Sequence, residues 1–240
     1  MELIITACSH EHMLTLLKKD IDAIVIGESK LSLRLAYTYE KTELYDAITT
    51  IKKANKKVII DMHTMVDNAL LPYAEEILQQ LQTLEVDGII YSDPAIYALA
   101  QAIQCKHPLI WSTETTATNW FAVEYWAQKG IQHVVLAKEL TKDAIASINQ
   151  NIKNPDVALE IQAFGPLNMF HSRRNLLNNY YQHLELTDAK NGNEQQFLFD
   201  RERNNYYPIF EDASGTHIMS PKDVCLVDEF EFFASCQHIK

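Results

Sequence analysis

Ala23-Ile-Val-Ile-Gly-Glu28 decides how the rest of the chain is read. Four apolar residues in a row, then a glycine and an acid, suit a strand buried on both faces, and such strands belong to parallel sheets flanked by helices. Similar runs recur at Leu3-Ile-Ile-Thr-Ala7, Lys57-Val-Ile-Ile-Asp-Met-His63, Asp87-Gly-Ile-Ile-Tyr-Ser-Asp93, Leu109-Ile-Trp-Ser-Thr113, His133-Val-Val-Leu-Ala137 and Val157 to Phe164. Helical patterns such as Tyr73-Ala-Glu-Glu-Ile-Leu-Gln-Gln-Leu81 lie between them. The strands recur roughly every 20 to 35 residues, the length of a right-handed βαβ crossover.

Seven such units with no glycine-rich phosphate loop predict an α/β fold, a TIM-like (β/α) barrel, ahead of a doubly wound sheet. The chain reaches His238-Ile239-Lys240 where an eighth strand would begin, so the barrel is expected to be incomplete at the C-terminus. One domain over 1–240 is expected, with an insertion over 179–219. In that insertion, Lys190-Asn-Gly-Asn193 reads as a turn, and Tyr207 to Met219 as a β-hairpin turning at Asp212-Ala-Ser-Gly215. Ser220-Pro221 is expected to cap a helix running to about Cys236.

Composition narrows the class. The chain has 240 residues, 47% apolar and 22% charged, which is ordinary for a soluble globular protein and excludes disorder as the default. Its formal charge of −11 repels nucleic acid unless a partner or a local basic patch compensates. No apolar run approaches transmembrane length, and the N-terminus lacks a basic segment, so a cytoplasmic protein without membrane contact is expected. Cys8, Cys105, Cys225 and Cys236 are scattered without a CxxC pair, which suits reduced thiols. His10-Glu11-His12 follows Ser9 as a helix start rather than a metal site, since HExxH spacing is absent.

Active sites of such barrels lie at the carboxyl ends of the strands. Those ends supply Thr6 and Ser9, then Glu28 with Arg34, then His63 and Asn68, then Asp93. Later ends supply Ser112, Thr113, Glu114 and Thr115 with Asn119, then Lys138 and Glu139, then Glu160 and Gln162. This polar mouth, with both signs of charge, suits a small polar ligand. Each residue also has a plain structural role to offer: Asp93 and the Ser112 to Thr115 run as helix caps, Lys138-Glu139 as an ion pair. No GxSxG elbow or cysteine–histidine spacing marks a nucleophile.

The stretch Glu160 to Asn178 breaks the rhythm. An apolar strand enters Gly165-Pro166, and a polar, amphipathic segment bearing Asn168, His171, Ser172, Arg173, Arg174 and Asn175 follows. The order of strand ends, Ile-Gly-Glu28, Leu-Arg-Leu-Ala36, Tyr-Ser-Asp-Pro94, Trp-Ser-Thr-Glu-Thr-Thr116, Val-Leu-Ala-Lys-Glu-Leu140 and Ser-Pro-Lys-Asp-Val-Cys225, resembles the collagenase-like peptidase family U32 over nearly the whole chain. The chain is similar within that family to the YrrN-type branch of Gram-positive bacteria.

The family signature of glutamate, glycine, cysteine, serine and cysteine is matched by Glu160, Gly165, Asn168, Ser172 and Asn175. In relatives those cysteines, with two further on, hold an iron–sulfur cluster. Asparagine supplies no thiolate, and no cysteine occurs between Cys105 and Cys225. No cluster or other metal is therefore expected on this chain.

The resemblance implies a subunit for 5-hydroxylation of the wobble uridine of tRNA, dependent on prephenate. It would act with a paralogous U32 subunit that bears the iron–sulfur cluster and helps to engage tRNA. Arg173 and Arg174 are then candidates for a phosphate or carboxylate contact, or else a solvated helix face. Two other classes stay open: a peptidase, as the family label says, and a non-catalytic barrel that binds a small molecule and supports its partner.

Overall fold

The computed structural model describes residues 1–186 and 195–240, so the expected turn at 190–193 lies outside the described residues. The chain divides into two compact units, Met1–Ile161 with Phe232–Lys240, and Gln162–Glu231. The second unit thus starts upstream of the expected insertion at 179–219 and includes most of the signature stretch.

The first unit alternates strand and helix: β1 (Ile4–Thr6), α1 (His10–Leu16), β2 (Ala23–Gly27), α2 (Lys41–Lys53), β3 (Lys57–Met62), α3 (Leu71–Leu81) and β4 (Gly88–Tyr91). It continues through α4 (Pro94–Ala102), β5 (Leu109–Ser112), α5 (Trp120–Ala127), β6 (His133–Val135), α6 (Lys142–Asn151) and β7 (Ala158–Glu160). The seven strands lie side by side in chain order, and every adjacent pair is parallel. That is the order of a (β/α) barrel. No pairing of β7 with β1 occurs among the described residues, so the barrel is incomplete. Ile239 bridges Leu159 in parallel, and the Leu159 amide donates to the His238 carbonyl at 2.7 Å, so the chain does enter the eighth-strand position.

Both faces of the sheet are dry along β2, β3, β4 and β5, which is why those strands read as apolar runs. Ala23, Val25, Ile59, Ile90 and Ile110 form one cluster, joined by Ile4, Leu35 and Val135. The alternate residues Ile24, Ile26, Val58, Ile60 and Ile89 are buried as well, together with Leu44, Ile48 and Ile51 of α2 and Ile77 and Leu81 of α3. Each such side chain contributes about 1.5–3 kcal/mol on burial. Tyr91, Tyr97, Trp111 and Trp126 join β4, α4, β5 and α5 through ring contacts 5.2–6.2 Å apart.

The second unit comprises β8 (Phe164–Gly165), β9 (Asn168–Ser172), α7 (Leu176–His183), β10 (Gln196–Asp200), β11 (Asn205–Asp212), β12 (Gly215–Met219) and β13 (Val224–Cys225). Four strands make an antiparallel sheet in the order β10-β11-β12-β9, and β13 pairs with β8. The expected hairpin is β11–β12, with Asp212 opposite Gly215. Gly215 has a φ of +121°, and a Cβ there would sit 2.0 Å from the Ser172 carbonyl oxygen. Only glycine lets β9 approach so closely.

Three expectations about this region are corrected. The seventh strand stops at Glu160 instead of running to Phe164, because β6 ends at Val135 and leaves no ladder partner beyond it. The polar segment after Pro166 is a strand through Ser172, and the helix begins only at Leu176. The helix expected from Pro221 to Cys236 is instead β13, a 3₁₀ turn at Val227–Glu229 and the five-residue α8 (Phe230–Ala234). Pairing of Val224 and Cys225 with Gly165 and Phe164 overrides the local helix signals. Ser220 is occupied otherwise: its hydroxyl accepts from the Leu167 amide and donates to the Lys222 carbonyl.

Candidate functional site

The site is built at the carboxyl ends of β2, β3, β5 and β6. At Gly27 a Cβ would lie 1.7 Å from Ser32 Oγ, so glycine lets the loop after β2 fold back onto its own strand. Ser32 Oγ then donates to the Asp61 carbonyl, and the Leu33 amide donates to Asp61 Oδ2 at 3.0 Å. These bonds pin the loop to β3. Arg34 follows with a φ of 60°, a conformation that non-glycine residues adopt at a cost and that clusters at functional sites.

Arg34 pairs with Glu114, which lies just beyond β5 and is itself left-handed at φ 62°. The other Glu114 oxygen accepts from Lys138 Nζ at 2.9 Å, from the turn after β6. Burial raises the Glu114 carboxyl, but the Lys138 and Arg34 cations outweigh it, with a smaller contribution from His63, and hold it at about 2. His63 sits two residues past Asp61, with Nδ1 3.3 Å from Asp61 Oδ1. Its Nε2 is buried and has no hydrogen-bond partner. With the carboxylate on the Nδ1 side, Nε2 is the ring nitrogen left to meet a bound molecule.

Of the residues singled out from sequence, Arg34, His63, Glu114 and Lys138 come together. The others lie outside this cluster, several of them serving nearby structure. Glu28, almost wholly buried, accepts from the Lys30 and Leu31 amides, from Ser29 Oγ and from Tyr73 Oη at 2.9 Å, and so shapes its own loop. Burial, and next the Glu28 carboxylate, push the Tyr73 phenol well up, so it stays a donor. Asp93 caps α4 through the Ala95 amide and anchors the Val66 amide with its second oxygen. Asn119 caps α5 through the Ala122 amide, and Ser112 is buried at the end of β5.

Glu139 is exposed beside Lys138. Glu160 lies 2.6 Å from His133 Nε2. Gln162 Nε2 donates to the Pro166 carbonyl, and Ser172 Oγ accepts from the Arg174 amide. Arg173 and Arg174 are exposed in the bend between β9 and α7, in the second unit. Ser9 caps α1 through the His12 amide, as its place before the His-Glu-His run implies. His12 Nδ1 faces Cys8 Sγ at 3.1 Å.

Asp61 escaped the sequence reading. Its signal is a single acid inside Val58-Ile-Ile-Asp-Met-His63, two residues before the histidine and on the same side of the strand.

The second unit holds another polar group. Asp212 Oδ1 and Ser214 Oγ lie 3.1 and 3.0 Å from His217, both on Nε2. A hydrolytic triad places the acid on Nδ1 and the nucleophile on Nε2. Here Nδ1 is buried with no hydrogen-bond partner, and Ser214 donates to Asp212 at 2.5 Å. The group is a turn lock for the β11–β12 hairpin. Of the positions expected from the resemblance to bear cluster ligands, Asn168 lies on β9 and Asn175 ahead of α7, with Ser172 between them. Amides and a hydroxyl do not fit an iron–sulfur cluster, which needs thiolates.

Parallel strands in sequential order, with a charged cluster at their carboxyl rim, define a (β/α)-barrel protein. The profile of Peptidase family U32 matches residues 9–237, and the chain belongs to that family. It is 37% identical over 233 residues to tRNA hydroxylation protein P2 of Bacillus subtilis, covering 96% of this chain and 74% of the relative. It is 26% identical over 214 residues to tRNA hydroxylation protein P1 of the same organism, covering 86% of this chain and 49% of that protein. The chain therefore spans about half the length of that second relative. The structure of the U32 peptidase Mk0906 superposes with a TM-score of 0.57 at 18% identity, over 70% of each chain, and shares the fold. None of the described helices is long and apolar enough to cross a membrane.

Proposed function

We propose that this chain is a cytoplasmic subunit of a tRNA hydroxylation system that installs the 5-hydroxyl of the wobble uridine. The observation that carries the reading is the 37% identity, over 96% of the chain, to a protein named for tRNA hydroxylation. The rim cluster supports it on the chemical side. Arg34 and Lys138 share a single carboxylate, Glu114, which leaves cationic capacity for a small carboxylate ligand. Prephenate, a dicarboxylate, is the ligand proposed for it, with His63 Nε2 as a further polar contact.

In this reading the chain carries no cluster of its own, and a paralogous U32 subunit supplies both the iron–sulfur cluster and the contact with tRNA. The chain's charge of −11 favours that division of labour. The histidine group of the second unit, with both partners on one nitrogen, counts against peptide hydrolysis there. Mass spectrometry of tRNA nucleosides from a strain lacking the gene tests the proposal. Loss of 5-hydroxyuridine-derived wobble nucleosides is expected, restored by the gene in trans; unchanged levels would overturn it.

A further inference from the structure

Strand β10, Gln196-Phe-Leu-Phe-Asp200, is an edge: among the described residues it pairs only with β11. Edge strands of folded proteins are commonly blunted by a lysine, a proline, a bulge or an inward charge. This one has none of them between Gln196 and Asp200. Its three central residues are large, apolar and open, at 47% for Phe197, 45% for Leu198 and 46% for Phe199. On one face Phe199 stacks on Tyr206 at 4.6 Å, and Phe197 meets the same ring edge-on at 6.2 Å. Exposed Phe and Tyr on a strand whose outer edge pairs with none of the described residues have the composition of an interface centre.

We propose that β10 is a self-pairing edge, to which a second copy of this chain adds its own β10 antiparallel across a two-fold axis. Two four-stranded sheets then join into one of eight strands. The strand's own sequence selects this occupant. Pairing centred on Leu198 places Phe197 opposite Phe199 of the other copy, and Gln196 opposite Asp200. Aromatic rings thus meet aromatic rings, and each acid meets an amide instead of a second acid. Centring on Phe199 would set Leu198 against Asp200. The centred register keeps like faces together, so the Phe197–Tyr206–Phe199 ring group continues across the axis. A nucleic-acid strand is the poorer fit, since the chain's net charge is −11 and Asp200 closes the strand.

Light scattering on the purified full chain at high micromolar concentration should give twice 27.6 kDa. Leu198→Lys should give the monomer mass with an unchanged far-UV circular dichroism spectrum. Leu198→Cys, in a chain with Cys8→Ser and Cys225→Ser, should form a disulfide-linked dimer on mild oxidation, because the axis sets residue 198 against itself at disulfide distance. A monomeric parent chain would overturn the proposal. So would a dimer that survives Leu198→Lys, or cross-linking of Leu198→Cys no faster than that of Lys18→Cys, on an exposed part of the first unit.

Discussion

Arg34 and Glu114 meet across the rim of the barrel, each held in the left-handed backbone region at φ 60° and 62°. Neither loop would choose that conformation alone, at a cost of about 1–2 kcal/mol per residue. The ion pair, completed by Lys138, holds both loops there. The relationship makes the cluster a strained, charge-coupled device rather than a surface salt bridge.

Its titration follows from the same geometry. The Glu114 carboxyl titrates near 4.5 in the unfolded chain and at about 2 in the fold. The unfolded state therefore takes up the proton first as pH falls. The stability linked to Glu114 is present in full above 4.5 and is lost between 4.5 and about 2. A shift of that size corresponds to at most about 3 kcal/mol. Urea unfolding of the parent and of Glu114→Gln should differ by about 1–3 kcal/mol at pH 7, the parent being more stable, and should converge toward pH 2. A gap constant across that range would show that the charge of Glu114 does not hold the loops.

The rim residues carry the second prediction. His63→Gln and Lys138→Ala should each lower 5-hydroxyuridine-derived nucleosides by about tenfold or more in a complemented deletion strain, the size expected when a polar contact to a bound reactant is lost. Protein levels should be unchanged. Asp93→Asn, which alters a helix cap outside the cluster, should keep most of the modification. Full modification in both rim variants would remove this cluster from the function.

The contrast between what was and was not legible follows from range. The seven strands show in sequence because each is a local apolar run, answering in β2 to β5 to burial on both faces, and Ser9 and Asp93 show as caps because capping is local chemistry. Arg34 and Glu114 stand 80 residues apart, and nothing in either loop names the other. The failed helix after Pro221 has the same origin: Val224 finds Gly165, a partner far back in the chain, and a two-residue ladder overrides the local signal. Asp61 was readable, as an acid inside an apolar strand, but it draws notice only once His63 is seen beside it.

Glycines give a third, graded prediction. Gly130 and Gly215 both have positive φ, 86° and 121°, but a Cβ at Gly130 meets nothing within 4 Å whereas one at Gly215 strikes the β9 backbone. Gly130→Ala should therefore cost only the conformational penalty, about 1 kcal/mol. Gly215→Ala adds displacement of β9 and should cost about 3 kcal/mol or more. Denaturant midpoints rank the two directly, and equal losses would contradict the close approach of β9 and β12.

The signature stretch yields the last prediction. If amides have replaced thiolates at 168 and 175, the purified chain prepared without oxygen should contain neither stoichiometric iron nor labile sulfide. Installing Asn168→Cys and Asn175→Cys should not restore a stable cluster. Two thiolates fall short of the four that such clusters commonly require. Anaerobic reconstitution of the double variant, followed by iron and sulfide assay and visible absorption, checks both halves. Stoichiometric iron in the parent chain would refute the asparagine argument outright. A stable cluster in the double variant alone would show that only the two thiolates had been missing.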